Sequence, residues 1–456
     1  MVTVQELEKL YDQSHCIKDL ESFLRFESIS TDPAYEKQCV ECANWLREHL
    51  KTIGLQAEVL ATDAKPVVFA EYSSPKADAP RILFYGHYDV QPPDPLEEWT
   101  SAPFSPEVRD GRVFARGAQD NKGQVMFFVK ALEALLKRGD LPVSVALVIE
   151  GEEECGSGGI ARTMGKWKEK LKSDVLMVCD TGSRAEDVCA ITMGLRGIAG
   201  LTVRLSGPRT DLHSGVHGGV CPNPATELAR IIASLHGPNG EIAVEGYYDD
   251  VPSPLADDLL VANGVVVPDE YYESMSGVKP FGGEKGKSFA ERRGFRPTIE
   301  INGIHSGYGG AGMKTIIPRD AIAKITTRTV AGQDTAGALK KIEKHLLDRT
   351  PPGLTLTIED TEHGGSGLSV STKSPVIQKA REVLSTLPVG QVELMWEGAS
   401  IPIVASLAEV AGAEPLLIGF GLEEDNIHAP NESFSLSQFK KGFLYVAGFL
   451  SSYGAE

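Results

Sequence analysis

Long apolar runs, cysteine and net positive charge are all scarce in this sequence, and each shortage excludes a class of protein. The 456 residues include seven cysteines, and 63 acidic side chains outnumber 45 basic ones, for a formal net charge of −18. No apolar run reaches the roughly 18 residues that a membrane-spanning helix needs. Nucleic acids and anionic membranes attract basic surfaces instead. We therefore expect no nucleic-acid partner and no membrane association.

The cysteines predict a reducing compartment. They are few for this length and odd in number, which suits free thiols better than a disulfide framework. Cys39 and Cys42 form a Cys-x-x-Cys pair, but they lie in a helical pattern, so we interpret them as helix residues. Residues 1–19 lack the basic and then apolar segments of a secretory signal peptide. We expect a cytoplasmic protein.

The chain is longer than a single hydrophobic core usually organises, and its pattern of elements predicts two domains. Apolar strands alternate with helices up to Asp180, which is typical of an α/β fold with a largely parallel central sheet flanked by helices. Amphipathic strands with two helices follow, which indicates an inserted α+β domain. We expect the first domain over residues 1–196 and 365–456, and the inserted domain over residues 197–364.

Particular segments can be assigned within this scheme. Residues 247–297 are rich in glycine, proline and charge, and no helix or strand is predicted there. Helices are expected at 121–137 and 436–451. Strands of the first domain are expected at 66–72, 81–85, 143–150, 174–179 and 415–420.

A histidine and an aspartate follow the predicted strand 81–85, in Gly86-His87-Tyr88-Asp89-Val90. Residues i and i+2 of an extended chain point the same way. His87 can therefore bind a metal while the carboxylate of Asp89 holds the other N–H of the ring. Such a pair also occurs as a structural feature, so this interpretation depends on the rest of the chain.

Further acidic and histidine residues share this setting at the ends of predicted strands. The carboxyl ends of parallel strands lie along one edge of a sheet, where ligands bind. We expect the following residues to converge at this edge, with Asp120 at the mouth of the site: His87, Glu153, Glu154, Asp180 and His428. Two histidines with three carboxylates suit zinc, manganese or cobalt, and they lack the thiolates expected for copper or iron–sulfur.

Such a set of ligands predicts hydrolytic chemistry. One carboxylate can bridge two metals, and two-metal sites about 3.5–4 Å apart are common in aminopeptidases and phosphatases. The metals would activate a water molecule and polarise a carbonyl, and a further carboxylate must then accept the proton of the water. The adjacent Glu153 and Glu154 could divide these roles.

Six segments of the sequence resemble motifs of the M20 family of dinuclear zinc peptidases: GHYDVQPP, GAQDNKG, EGEEECGS, DLHSGVHGG, WEGASIPI and IHAPNE. The similarity is greatest to the branch of carnosinases, cytosolic nonspecific dipeptidases and bacterial dipeptidases. It covers nearly the whole chain, and the motifs come in the order of the family. The resemblance implies a metalloprotease that hydrolyses dipeptides as a carboxypeptidase does, with two divalent ions per subunit, zinc first and manganese or cobalt as alternatives.

The resemblance also implies roles for the converging residues. His87 and Asp180 would hold one metal, Glu154 and His428 would hold the other, and Asp120 would bridge them.

Two further roles in the first domain follow from the resemblance. Asp89 would be the partner of His87, and Glu153 would be the general base and later the general acid. Three glutamates are consecutive here, and the family pattern Glu-Glu-x-Gly-Ser assigns the functional pair to Glu153 and Glu154.

The inserted domain would be the ferredoxin-like lid and dimerisation domain of the family. His213 matches a histidine that reaches into the active site of the partner subunit of a homodimer and stabilises the oxyanion. Thr315 and Arg328 match lid residues that hold the substrate, and a guanidinium suits a C-terminal carboxylate. Ser400 matches another substrate contact, although Gly398-Ala399 stands where relatives have Gly-Gly.

Two alternative functions stay open. An N-acyl or N-carbamoyl amino acid amidohydrolase could use the same machinery, because substrate choice depends on the walls of the pocket. A catalytically silent binding protein could keep the same fold, although the complete set of metal ligands and Glu153 argue against it. Metal content would separate this last alternative, since a silent protein has no need of two metal ions.

Overall fold

The computed structural model describes residues 2–139 and 141–454, and contacts between them divide the chain into two compact units. The first unit consists of the described residues within Met1–Met193, Val370–Met395 and Ser406–Glu456. The second consists of Gly194–Ser369 and Trp396–Ala405. Contacts alone do not test whether these units fold independently, so the division into domains at 196/197 and 364/365 stays a prediction.

The helices and strands are numbered here in chain order. The α-helices are α1 (Val4–Asp12), α2 (Cys16–Leu24), α3 (Glu36–Thr52), α4 (Lys122–Arg138), α5 (Gly158–Thr163), α6 (Lys168–Leu171), α7 (Ser214–His217), α8 (Pro224–Ala233), α9 (Ala256–Gly264), α10 (Asp269–Ser276), α11 (Thr335–Asp348), α12 (Pro375–Thr386), α13 (Pro402–Ala411) and α14 (Leu436–Ser452). The strands are β1 (Gln56–Leu60), β2 (Val67–Tyr72), β3 (Arg81–His87), β4 (Glu107–Arg109), β5 (Arg112–Phe114), β6 (Ser144–Glu150), β7 (Val175–Val178), β8 (Gly182–Ser183), β9 (Val188–Leu195), β10 (Gly197–Ser206), β11 (Leu212–His213), β12 (Thr298–Ser306), β13 (Ile316–Ile317), β14 (Asp320–Thr329), β15 (Thr355–His363), β16 (Leu368–Ser369), β17 (Gln391–Trp396), β18 (Glu414–Ile418), β19 (Gly421–Leu422) and β20 (Ser433–Ser435).

A mixed sheet forms the centre of the first unit. Its strands follow the order β1-β2-β6-β3-β7-β18-β9, and β17 also pairs with β9. The middle strands β6, β3, β7 and β18 are parallel, while β1, β2 and β9 are antiparallel to their neighbours. The middle strands are almost wholly buried, as parallel strands covered on both faces must be. The predicted α/β class is confirmed, and the predicted strands correspond to β2, β3, β6, β7 and β18.

Helix α4 covers the middle of this sheet. It is buried on nearly all sides, and Phe128 stacks on Phe84 of β3 with 3.8 Å between ring centroids. The helix ends where Gly139 takes a left-handed conformation, with φ at 81°, which satisfies a backbone carbonyl of the last turn. Asp120 and Asn121 immediately precede α4, so the packing of the helix places them at one edge of the sheet.

The second unit contains the predicted α+β arrangement. An antiparallel sheet has the strand order β12-β14-β10-β15, and helices α8 and α11 contribute to the hydrophobic core beside it. In the chain these elements follow as β10-α8-β12-β14-α11-β15, which is the ferredoxin-like order. Leu201 and Val203 of β10 pack in the same cluster as Leu228 of α8 and Ile342 of α11.

The stretch 247–297, for which nothing was predicted, contains α9, α10 and a π-helical turn at Glu291–Phe295. Helix α9 buries only Asp258 and Ala262, and α10 buries no residue. The sequence therefore lacks the apolar stripe from which a helix is usually predicted.

Two features bear on the expected environment of the protein. In the part of the chain that the structure describes, no helix combines the length and apolar character needed to cross a bilayer. All seven cysteines are free thiols, and Cys39 and Cys42 are buried in α3, as predicted.

Candidate active site

The parallel strands of the first unit end along one edge of the sheet, where acidic and histidine residues follow them. Strand β3 ends at His87, and β6 ends at Glu150, its partner in the register. Strand β7 ends at Val178, shortly before Asp180. Because the carboxyl ends of parallel strands share an edge, residues that are far apart in the sequence become neighbours.

The side chain of Asp120 belongs to two groups of possible ligand atoms. Its Oδ1 is 3.1 Å from His87 Nε2, and its Oδ2 is 2.9 Å from His428 Nε2. Asp180 Oδ2 lies 3.8 Å from His87 Nε2, and Glu154 Oε2 lies 3.4 Å from His428 Nε2. Within each group of three residues the ligand atoms lie within 4.8 Å of one another.

The carboxylates of these groups are crowded, and protons offset their negative charge. Burial, followed by the charge of Asp120, raises the pKa of Glu154 to about 8, and burial raises the pKa of Asp180 well above its usual value. Hydrogen bonding to Asp120 is the main cause that raises the pKa of His428 to about 9. Burial alone would lower the pKa of His87, but carboxylate hydrogen bonds, first that of Asp120, raise it. Protons thus supply positive charge that a divalent cation in each group could supply instead.

The donor atoms themselves fit two divalent metal ions. Both groups combine imidazole nitrogen with carboxylate oxygen, the set that suits zinc, manganese or cobalt. One carboxylate shared through its two oxygens has the arrangement of a bridging ligand.

Asp89 connects His87 to the turn that contains the adjacent glutamates. Its Oδ1 lies 3.3 Å from His87 Nδ1, and its carboxylate accepts the backbone N–H groups of Glu153 at 3.2 Å and Glu154 at 3.1 Å. Asp89 and His87 are both completely buried. This contact orients the ring so that Nε2 faces Asp120.

Glu153 lies in the same 3₁₀ turn, Glu153–Cys155, but belongs to neither ligand group. Burial, together with the charges of Asp120 and Asp89, raises its pKa to about 7. The preceding Glu152 has a different environment, because its carboxylate accepts backbone N–H groups of Lys65 and Gly159. Among the acids at this turn that lie outside the ligand groups, Glu153 is therefore the one suited to exchange a proton near neutral pH.

His213 and Thr315 lie next to each other in the second unit. Strand β11 pairs with β13, and the backbone N–H of Ser214 donates to the carbonyl of Thr315 at 3.0 Å. His213 is exposed, and its Nδ1 accepts the backbone N–H of Gly215 at 3.0 Å. A neutral ring that accepts at Nδ1 has its proton on Nε2, where it can be donated.

Arg328 and Ser400 also meet in the second unit. Arg328 Nη1 donates to Ser400 Oγ at 2.7 Å, and Ser400 Oγ donates to the carbonyl oxygen of Arg196. Burial lowers the pKa of Arg328, which nevertheless remains a cation at neutral pH.

The sequence profile of peptidase family M20/M25/M40 matches residues 83–452. The chain belongs to this family. The matched range contains both ligand groups, Glu153 and the whole second unit, so membership in the M20 family predicted from the motifs is confirmed.

Individual relatives agree with the predicted branch of the M20 family. A Cys-Gly metallodipeptidase of Candida albicans is 28% identical over 476 residues, which cover 99% of this chain and 96% of the relative. A Beta-Ala-His dipeptidase of Homo sapiens is 28% identical over 403 residues, which cover 84% of this chain and 76% of the relative. Among solved structures, an M20 family metallo-carboxypeptidase from Sulfolobus solfataricus has a TM-score of 0.86 and 29% identity, with 97% of this chain and 100% of the other covered. Human carnosine dipeptidase 1 has a TM-score of 0.81 and 25% identity over 99% of each chain.

Glu432 holds the loop that contains Asp120 in this M20 chain. It is buried, and it accepts hydrogen bonds from Arg116 Nη1 at 2.8 Å and from the backbone N–H groups of Gly117 at 2.9 Å, Gln119 at 3.1 Å and Asp120 at 3.2 Å. One carboxylate thus fixes the backbone at three positions of the loop that contains the ligand residue Asp120.

Asn121 connects the ends of β3 and β7. Its Nδ2 donates to Asp180 Oδ1 and to the carbonyl of Cys179, each at 2.7 Å, and its Oδ1 accepts the backbone N–H of His87 at 3.3 Å. Gly86 leaves room for this contact, because a Cβ there would lie 2.8 Å from Asn121 Oδ1.

No role was predicted from the sequence for Glu432 or Asn121, although both stand inside quoted motifs. A signal was present, because polar residues within otherwise apolar or glycine-rich motifs need hydrogen-bond partners when they are buried. The partners themselves lie far away in the sequence, as the 312 positions between Asp120 and Glu432 illustrate.

Proposed function

We propose that this chain is a dipeptidase that hydrolyses the peptide bond of dipeptides with two divalent metal ions per subunit. The observation that supports this most directly is Asp120, which is shared by two groups of nitrogen and oxygen donors. Membership in a peptidase family and the dipeptidase names of the relatives support the choice of reaction and of substrate.

The ligand residues would divide around Asp120. His87 and Asp180 would hold one ion, and Glu154 and His428 would hold the other. We propose zinc, with manganese or cobalt as alternatives, because the donors are nitrogen and oxygen. When bound, such ions lower the pKa of water and polarise a carbonyl.

Glu153 would act as the general base and then as the general acid. It would accept the proton of the attacking water and later donate that proton to the leaving amine. A pKa of about 7 suits both transfers. Asp89 would keep this turn and the ring of His87 in place through the contacts described above.

The second unit would supply substrate contacts. Arg328, Ser400 and Thr315 would hold the substrate, with the guanidinium of Arg328 on its C-terminal carboxylate. His213 would donate its Nε2 proton to the oxyanion of the tetrahedral intermediate in the other subunit of a homodimer. The exposed ring of His213 and its hydrogen bond from Gly215 support this role.

We also propose a homodimer formed through the second unit and a cytoplasmic location. Strand β12 is an edge strand, and Ile304 on it is 55% exposed. Exposed apolar side chains nearby in sequence, such as Met313 at 98%, support an interaction surface. The free cysteines support a reducing compartment.

A substrate panel tests the proposed activity. Protein loaded with zinc or manganese would be given free dipeptides, C-terminally amidated dipeptides, longer peptides and N-acetyl amino acids. We expect cleavage of free dipeptides and little cleavage of the amidated ones. Cleavage confined to N-acetyl amino acids would replace the dipeptidase assignment, and binding of fewer than two metal ions would contradict the proposed site.

Subunit mixing tests the role of His213. His213→Ala and Glu153→Gln are each expected to be inactive as homodimers. A mixed dimer would have one site with both functional residues, so activity should return after subunit exchange. Exchange without recovered activity would mean that His213 acts within its own chain.

A further inference from the structure

Two arginines of the second unit lie close together, and neither forms an ion pair with a residue that the structure describes. Arg196 immediately precedes β10, and Arg328 on β14 is the register partner of Ile198. Among the ion pairs of the described residues none includes Arg196 or Arg328, whereas Arg293 pairs with Glu397. Both unpaired side chains are half-buried.

The pKa of Arg196 reflects these surroundings. Burial, followed by the positive charge of Arg328, lowers it to about 10, and Glu300 offsets part of this effect. An unpaired cation that is partly withdrawn from water and faces a second cation is electrostatically unfavourable unless an anion joins it.

Arg196 also binds three consecutive residues of one turn. Its Nε donates to the carbonyl of Gly398 at 3.1 Å, and its backbone N–H donates to the carbonyl of Ala399 at 3.1 Å. Its carbonyl oxygen accepts the hydroxyl of Ser400. The turn 398–400 therefore takes its position from Arg196.

The turn 398–400 positions the guanidinium of Arg328. Ser400 Oγ accepts Arg328 Nη1 at 2.7 Å, which is the hydrogen bond that the structure gives to this guanidinium. Gly398 lets the Arg196 side chain approach closely, because a Cβ there would lie 2.8 Å from Arg196 Nη2. Contacts thus run from Arg196 to the turn 398–400, through its Nε at Gly398 and its backbone carbonyl at Ser400, and from Ser400 to the guanidinium of Arg328.

We propose that Arg196 is a positioning and specificity residue for anion recognition. It fixes the turn 398–400, which orients the guanidinium of Arg328. It also adds a second positive charge, which a free α-carboxylate of the ligand neutralises. This inference rests on the proposed function only in taking that carboxylate to belong to the C-terminal residue of a dipeptide.

Two substitutions separate the charge of Arg196 from its hydrogen bonds. Arg196→Met removes both the charge and the Nε donor, while Arg196→Lys keeps the charge. Arg204→Met is the matched control, because Arg204 lies on β10 and forms its ion pairs with Asp320 and Glu359. For a free dipeptide we expect Arg196→Met to raise KM about ten- to a hundredfold with a smaller change in kcat. Arg196→Lys should recover part of the loss, and Arg204→Met should match the wild type.

A binding measurement keeps the test independent of turnover. The melting temperature of the metal-loaded protein would be measured with L-leucine and with L-leucinamide, which lacks the free carboxylate. We expect leucine to raise the wild-type melting temperature more than leucinamide does, and Arg196→Met to abolish this difference.

The outcomes distinguish this inference from the proposed function. A wild type that cleaves no dipeptide, but shows the leucine effect that Arg196→Met abolishes, would overturn the function and support the anion site. If Arg196→Met cleaved dipeptides with an unchanged KM, the role of Arg196 would be overturned. A loss in kcat without a rise in KM would overturn it as well. A wild type that does not distinguish leucine from leucinamide would overturn it as well.

Discussion

Each of the two units gathers charged side chains at one place, mainly acidic in the first unit and basic in the second. In the first unit three carboxylates of the ligand groups meet two histidines, with Asp89 and Glu153 close by. In the second unit Arg196 and Arg328 lie together, and among the described residues neither forms an ion pair. Partly buried charge is costly without a partner, so a partner from outside the chain would stabilise either site. The comparison indicates cations for the first unit and a carboxylate for the second.

The two regions also differ in how firmly they are held. His87 and Asp89 are completely buried at the end of a central strand, whereas Arg196 and Arg328 are half-buried beside a short turn. A resident metal ion requires a fixed set of ligands, while a substrate must enter and leave. We assign the chemistry to the more buried region and recognition to the more accessible one.

The largest effect is expected from Glu153→Gln in the first unit. The amide cannot accept the proton of water, so kcat should fall about 10²- to 10⁴-fold while two metal ions remain bound. Steady-state kinetics and metal analysis of the same preparation would check this. Glu152→Gln is the neighbouring control and should lose far less, because Glu152 binds backbone N–H groups instead. A Glu153→Gln enzyme with wild-type kcat would show that another group is the base.

Glu432→Gln tests whether the first region depends on its supporting contacts. Losing the charge weakens the interactions with Arg116 and with the backbone of the Asp120 loop. Metal affinity should fall about 10- to 100-fold, measured by calorimetric titration of the metal-free protein. Glu424→Gln is the control, because Glu424 is exposed and pairs with Arg112 at the surface. Equal affinities in both variants would mean that the ligand groups form without Glu432.

Glu150→Gln tests a buried acid of the first unit that belongs to neither ligand group. Glu150 Oε1 accepts hydroxyls of Tyr85 at 2.7 Å and Ser157 at 2.8 Å, and burial is the main cause that raises its pKa to about 8. The native state keeps this proton up to that pH, whereas the unfolded chain releases it near ~4.3. The free energy of unfolding should therefore fall as pH rises between these values, by up to about 1.4 kcal/mol per pH unit.

The glutamine variant lacks this titration, so the difference in unfolding free energy between variant and wild type should change with pH. Chemical denaturation at pH 5, 7 and 9, with the same metal content at each pH, would measure it. A constant difference across this range would show that Glu150 is ionised in the native state.

The smallest effect is expected from Gly398→Ala in the second unit. A Cβ at this position would crowd the far end of the flexible Arg196 side chain, which can move aside. KM for a free dipeptide should rise only about two- to fivefold, and the effect should disappear in the Arg196→Met background, because contacting residues are not additive. Gly282→Ala, where a Cβ would meet open space, should leave KM unchanged. If the effects of Gly398→Ala and Arg196→Met on KM were additive, the turn 398–400 would not act through Arg196.

Local patterns were sufficient for much of the fold. Apolar runs predicted the central strands, and the helical period predicted α4 and α14, because burial on a regular element repeats with the element itself. Helices α9 and α10 were not predicted, since they bury at most two residues each and show no apolar stripe.

The sequence by itself determined the kinds of residues that follow the strands and the motifs that identify the family, because both are properties of adjacent positions. It also indicated that His87 and Asp89 would face the same way, since an extended chain alternates its side chains. Only the tertiary structure decided that Glu432 reaches Asp120 across 312 positions, and that Arg196 binds the turn containing Ser400. Such contacts depend on how whole sheets and helices pack, and a single sequence records the residues available for pairing but not which distant pairs form.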